Sequence, residues 1–122
     1  MPRPTKKSKQ KQADMLFSQI IRSKGYCEAM GKDDVKCGGP LQCAHVEGRR
    51  NKYLRWDRLN AICLCAGHHR YYTDYPIAWG SLIRSHFPIH FWHVEIERCK
   101  LWDRDIDAVL ARLKAEYEAV SA

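Results

Sequence analysis

The chain has 122 residues, enough for one hydrophobic core but not two. Apolar residues make up 45% of it and charged residues 29%, a balance that excludes wholesale disorder and fibrous repeats. Lys and Arg number 21 against 14 Asp and Glu, so the surface field favours a polyanionic partner, nucleic acid first. No apolar run reaches the roughly 20 residues of a membrane span, and the basic start carries no signal-like apolar segment. A soluble, cytoplasmic protein that does not engage a membrane is therefore expected. In a reducing compartment the six cysteines point to metal ligation rather than to a disulfide framework.

Residues 1–12 carry Arg3, Lys6, Lys7, Lys9 and Lys11 without an acid, which predicts a flexible basic arm. From Ala13 onward, Leu16 with Ile20 and Phe17 with Ile21 stand four apart, and Gly25 follows as a stop signal, so a short helix is expected. The stretch from Gly25 to Pro40 holds Gly31, Gly38, Gly39 and Asp33-Asp34, a turn-rich loop that needs an external staple. Leu41 to Val46 and Ala61 to Leu64 read as an antiparallel hairpin, and Ala66 to Tyr72 as one or two helical turns. The hairpin loop offers Arg49, Arg50, Lys52, Arg55 and Arg58 as cations for phosphates, with Tyr53 and Trp56 as rings; Arg70 follows on the helix. Pro76 opens a further helix ended by Pro88, and His90 to Lys100 is read as another. Ile106, Val109, Leu110, Leu113, Tyr117 and Val120 form one stripe of a C-terminal amphipathic helix, with Asp103 as its expected cap. The fold class is thus α+β, a single domain over 13–122 with a central finger at 26–75 and a helical extension at 76–122.

His45, Asn60 and His69 follow the spacing H-x14-N-x8-H: the first lies on a strand, the second enters the next strand and the third opens a helix. With Leu41-Gln42-Cys43-Ala44-His45-Val46, the segment Arg55 to Cys65 and the Cys-x2-His step beside His69, this stretch resembles the HNH endonucleases, small phage-type and recombination-associated members included. The resemblance covers roughly residues 26–72. It implies a ββα-metal finger and metal-dependent hydrolysis of DNA phosphodiester bonds, leaving 5′-phosphate and 3′-hydroxyl ends. It also implies DNA as partner, other phage or recombination proteins as associates, and the host cytoplasm as location if the gene is phage-borne.

Phosphodiester hydrolysis needs a base for water and a cation against the phosphorane, and a neutral imidazole suits the first task. His45 is the expected base, Asn60 by resemblance orients it, and His69 holds a catalytic Mg²⁺ or Mn²⁺. Many family members place an Asp or His ligand just before the base, where this chain has Ala44. Glu47, Asp74, Cys43 or water and substrate oxygens are the possible replacements. Cys27, Cys37, Cys65 and His68 supply the four ligands of a tetrahedral structural Zn²⁺, although related proteins use paired CxxC knuckles. Cys43 and Cys63 on facing strands are the competing pair, read as buried apolar groups. Cys99 is read as packing, and His86, His90 and His93 as surface or satisfied core. Trp79, Trp92 and Trp102 are expected between the C-terminal helices and the finger. The alternative is a non-catalytic zinc-containing module that binds DNA or serves as an accessory factor, for example in genome packaging.

Overall fold

A computed structural model describes residues 2–122. Five α-helices surround one two-stranded antiparallel sheet: α1 (Lys6–Arg22), β1 (Leu41–His45), β2 (Ala61–Cys65), α2 (Ala66–Asp74), α3 (Pro76–His86), α4 (Pro88–Glu97) and α5 (Ile106–Ser121). A single 3₁₀ turn, Arg58–Asn60, leads into β2. The register pairs Cys43 with Cys63 and His45 with Ala61.

β2 is buried along its whole length because both faces of the sheet are covered. Its alternation sends Ala61 and Cys63 towards Phe17, Ile20 and Ile21 of α1 and Val109, Leu110 and Leu113 of α5. Ile62 and Leu64 point the other way, into a second cluster with Ala44, Tyr72, Leu82 and Ile83. Burying two apolar surfaces on one short strand explains how so small a sheet holds its place; β1 carries the polar groups that face outward.

The reading of residues 1–12 as a flexible arm is corrected from Lys6 on, residue 1 lying outside the described residues. The Thr5 hydroxyl accepts from the Ser8 N–H at 3.1 Å and caps α1 well before Ala13. Lys6 pairs with Asp103 at 3.2 Å and Lys9 with Asp107 at 2.8 Å, so basic residues that composition marks as solvated lie along the start of α5. Asp103 is accordingly not the cap of α5; Asp105 is, accepting from the Asp107 N–H at 3.0 Å. Pro76 and Pro88 each open a helix at a position that needs no backbone donor. Of the three tryptophans expected between the helices and the finger, Trp79 packs there against Tyr72, Trp102 meets Tyr53 of the hairpin loop edge-on while staying 59% exposed, and Trp92 is 54% exposed. Cys99 is exposed as well, contrary to the packing role expected of it. Among the described residues no helix is long and apolar enough to cross a membrane.

Candidate functional site

The turn-rich loop between α1 and β1 is stapled to the sheet at two places. Glu28 hydrogen-bonds both backbone groups of Cys63, its N–H to the Cys63 carbonyl at 2.8 Å and its carboxylate accepting from the Cys63 N–H at 2.7 Å. That places Cys27 beside β2. At the other end the Ala66 N–H donates to the Pro40 carbonyl at 2.8 Å and the Gly67 N–H to the Gly38 carbonyl at 2.9 Å, which brings Cys37 to the start of α2. The approach is too close for side chains: Gly39 has φ of +80°, and a Cβ there would stand 2.8 Å from that of Ala66.

The ligand atoms of Cys27, Cys37, Cys65 and His68 all lie within 4.8 Å of one another, and together they can hold a metal ion such as zinc. His68 Nδ1 is 3.2 Å from Cys65 Sγ and 3.5 Å from Cys37 Sγ. Around one Zn²⁺ with Zn–S of about 2.3 Å and Zn–N of about 2.0–2.1 Å, a tetrahedral sulfur-to-nitrogen edge is about 3.5 Å, so the spacing fits that ion. Cys65 caps α2, its sulfur accepting from the His68 N–H at 3.3 Å and the Gly38 N–H at 3.5 Å. Burial pushes this thiol up, but those donors outweigh it and bring the pKa down to about 6. Burial and the neighbouring sulfurs push Cys37 up to about 11.

The other nitrogen of His68 has a partner that the sequence does not announce. Nε2 lies 2.9 Å from Asp33 Oδ1, and the Tyr72 hydroxyl donates to Asp33 Oδ2. Burial alone would lower the His68 pKa; the bonds to Cys65 and Asp33 outweigh it and raise the value. A carboxylate on the far nitrogen fixes the tautomer that leaves Nδ1 for metal. The Asp33-Asp34 pair is legible as turn chemistry, and only the three-dimensional contact reveals the first of them as the histidine's anchor.

On the other side of α2, His45 and His69 line the same two adjoining clefts, one of about 260 Å³ floored by Ala44, Leu64 and Tyr72, the other of about 720 Å³ walled by α1. His45 Nε2 is 3.0 Å from the Arg55 carbonyl oxygen. A carbonyl only accepts, so Nε2 carries the proton and Nδ1 keeps the lone pair. Burial lowers the His45 pKa, and the charge of Arg49 adds to that. His69 Nδ1 is 2.7 Å from Gln42 Oε1, also an acceptor, so Nδ1 is protonated and Nε2 keeps its lone pair. Burial lowers the His69 pKa too, which keeps its imidazole neutral.

Asn60 makes no hydrogen bond to the His45 side chain, so the direct orienting contact expected of it is not found. Fully buried, it donates to the carbonyls of Glu47 at 2.9 Å and Leu54 at 3.0 Å and accepts from the Glu47 N–H at 2.7 Å. It thereby ties Glu47 to Leu54 within the hairpin loop, next to Arg55, whose carbonyl holds His45. Arg55 in turn is no free cation for phosphate: it forks onto Asp14 at 2.9 and 2.6 Å, and Trp56 Nε1 donates to the same carboxylate at 2.9 Å. Arg49 is exposed on the cleft and reaches Asp14 at 3.4 Å. Arg50 and Arg70 are exposed and Lys52 half-buried, whereas Arg58 lines a different cleft, beside Lys24 and His90.

Ala44 is 2% exposed and its methyl belongs to the second core cluster. Of the three side chains expected to replace the missing ligand, Glu47 is paired with Arg98 at 3.4 Å and Asp74 stands exposed at the end of α2. Cys43 lines the larger cleft, but burial pushes its thiol up to about 12. Cys63 is likewise pushed up to about 11 by burial, so this cross-strand pair behaves as apolar packing. No family model, curated protein or solved structure matches this chain.

Proposed function

We propose that the protein is a metal-dependent endonuclease of the HNH type acting on DNA, with β1, β2 and α2 as its ββα-metal finger. The observation that carries the reading is that His45 and His69 line the same clefts, each with one ring nitrogen engaged by an acceptor and the other, Nδ1 of His45 and Nε2 of His69, without a hydrogen-bond partner among the described residues. His45 takes the proton of the attacking water at Nδ1 while the Arg55 carbonyl holds the imidazolium that forms. Asn60 is a positioning residue, keeping residues 47–55 in the arc that presents that carbonyl. His69 Nε2 is the protein's donor to a divalent cation, Mg²⁺ or Mn²⁺, which when bound neutralises charge on the phosphate and leaving oxygen. With Ala44 apolar and Asp14 committed, the protein offers one imidazole donor, and the rest of the ion's coordination would come from water and substrate oxygens.

Cys27, Cys37, Cys65 and His68 hold a structural zinc in this reading, tying the α1–β1 loop to α2 so that the two histidine sites sit back to back on one helix. Adjacent residues on α2 project in different directions, which is why His68 serves the zinc and His69 the cleft.

One observation favours the second reading, a zinc module that binds DNA without cutting it: no uncommitted carboxylate lines the His45–His69 clefts among the described residues. Product formation separates the two. Purified protein with Mg²⁺ or Mn²⁺ and labelled duplex, single-stranded and branched DNA yields 5′-phosphate and 3′-hydroxyl ends under the first reading and intact DNA under the second.

A further inference from the structure

The wall of the larger cleft that faces His45 and His69 is made by α1, an element outside the segment on which the nuclease reading stands. Ser18, Arg22 and Asp14 of α1 line it together with Gln42, Cys43 and Arg49. We infer that Arg22 and Arg49 form a phosphate-binding subsite in this cleft, taking a phosphodiester group of a nucleic-acid strand next to the two imidazoles.

The Arg22 side chain is tethered along its own helix by Nε, which donates to the Ser18 carbonyl at 3.3 Å and to Ser18 Oγ at 3.1 Å. Its two terminal nitrogens make no hydrogen bond among the described residues, leaving the planar fork for an anion with several oxygens. Arg49, on the hairpin loop, has one long contact to Asp14 of α1, 3.4 Å, weak enough for a phosphate oxygen to displace. Asp14 is the only carboxylate on this cleft among the described residues, and its charge is already met by the Arg55 fork and the indole N–H of Trp56. The cleft of about 720 Å³ is larger than one phosphate needs, and exposed Arg50 follows Arg49 on the loop, so a strand rather than a free anion fits the charge pattern.

The inference deepens the nuclease reading, yet its test does not depend on turnover. Full-length protein carrying His45→Ala is titrated with a labelled 20-mer duplex, without added divalent metal, over a series of salt concentrations. Adding Arg22→Gln or Arg49→Gln is expected to weaken binding about three- to tenfold and to lower the log–log salt slope by about 0.9 for each phosphate no longer neutralised. Lys114→Gln on exposed α5 removes the same charge and is expected to leave the slope within error. Inorganic phosphate serves as the second probe: displacement of the duplex only at tens of millimolar phosphate supports a strand site, and equal affinity for phosphate and duplex overturns it. Equal slopes for the Arg22, Arg49 and Lys114 variants overturn the subsite even if the unmutated protein cuts DNA. The Arg22 and Arg49 effects without any cleavage by the unmutated protein support the subsite and sink the nuclease reading instead.

Discussion

The side chain of His45 and the backbone of Arg55 are joined by a 3.0 Å hydrogen bond that fixes which imidazole nitrogen can act as a base. The two stand ten positions apart in the chain, so the bond depends on the hairpin loop returning to the strand end. Two features hold it there: the Asn60 clamp on residues 47 and 54, and the fork of Arg55 on Asp14.

The proposed cleavage should depend on pH through the imidazole that this loop buries. Burial, then the charge of Arg49, lowers the His45 pKa from the ordinary 6.5, while the Arg55 carbonyl raises it in part. With His45 as the proposed base the active form is the neutral one, so kcat/KM should be on its plateau at neutral pH and fall as pH drops through a value below 6.5. Replacing Arg49 with Gln removes one lowering influence and should move this acid limb to higher pH. A limb above 6.5 in the unmutated protein, or one that moves down in the Arg49 variant, would count against His45 as the base.

Asp14 should prove the stability hub of the α1–loop junction. Asp14→Ala strands the Arg55 guanidinium and the Trp56 indole N–H, groups that are mostly buried. Leaving such donors unmet costs about 2–3 kcal/mol, a fall in Tm of roughly 10 °C for a domain of this size. Urea and thermal unfolding check this, and a change below about 1 kcal/mol would show that the pairing contributes little.

Asn60 answers to a more selective substitution. Asn60→Asp keeps an acceptor for the Glu47 N–H but sets a carboxylate against the Glu47 and Leu54 carbonyls. Unfolding free energy should fall by about 2–4 kcal/mol, and cleavage should fall with zinc content unchanged. If stability falls while kcat holds, the clamp serves the fold alone.

Much of the architecture is legible in the sequence because it follows from patterns that are local. The hairpin registers on Cys43 and Cys63, and α5 buries the stripe from Ile106 to Leu113 that its spacing announces. The four metal-competent side chains can be named from their chemistry and the Cys-x2-His step, and the structure gathers those four. What the sequence does not reveal is carried by contacts between distant residues. Lys6 and Lys9 read as a solvated arm because Asp103 and Asp107, their partners, lie almost a hundred positions away. Arg55 looks like a phosphate contact until Asp14 is seen beneath it. Gln42 and Asp33, which set the tautomers of His69 and His68, are ordinary polar residues in the sequence, and only their distances give them roles.

The Asp33 contact makes a prediction about metal rather than fold. Asp33→Asn removes the carboxylate behind His68 and should weaken zinc binding about 10- to 100-fold, measured by competition with a chromophoric chelator. Elemental analysis of the unmutated protein should find about one zinc per chain, and Cys65→Ser should lower Tm sharply because binding free energy is folding free energy here. Full zinc affinity in the Asp33 variant would remove the aspartate from the metal site.

The central claim is that His45 and His69 act on one phosphate. Its most direct test is a cleavage assay on His45→Ala, with zinc content and Tm confirmed to match the unmutated protein. The account predicts Mg²⁺- or Mn²⁺-dependent cutting by the unmutated protein and a loss of at least about a hundredfold in the variant, DNA binding being retained. Undiminished cutting by His45→Ala, or none by the unmutated protein with either metal, would contradict it.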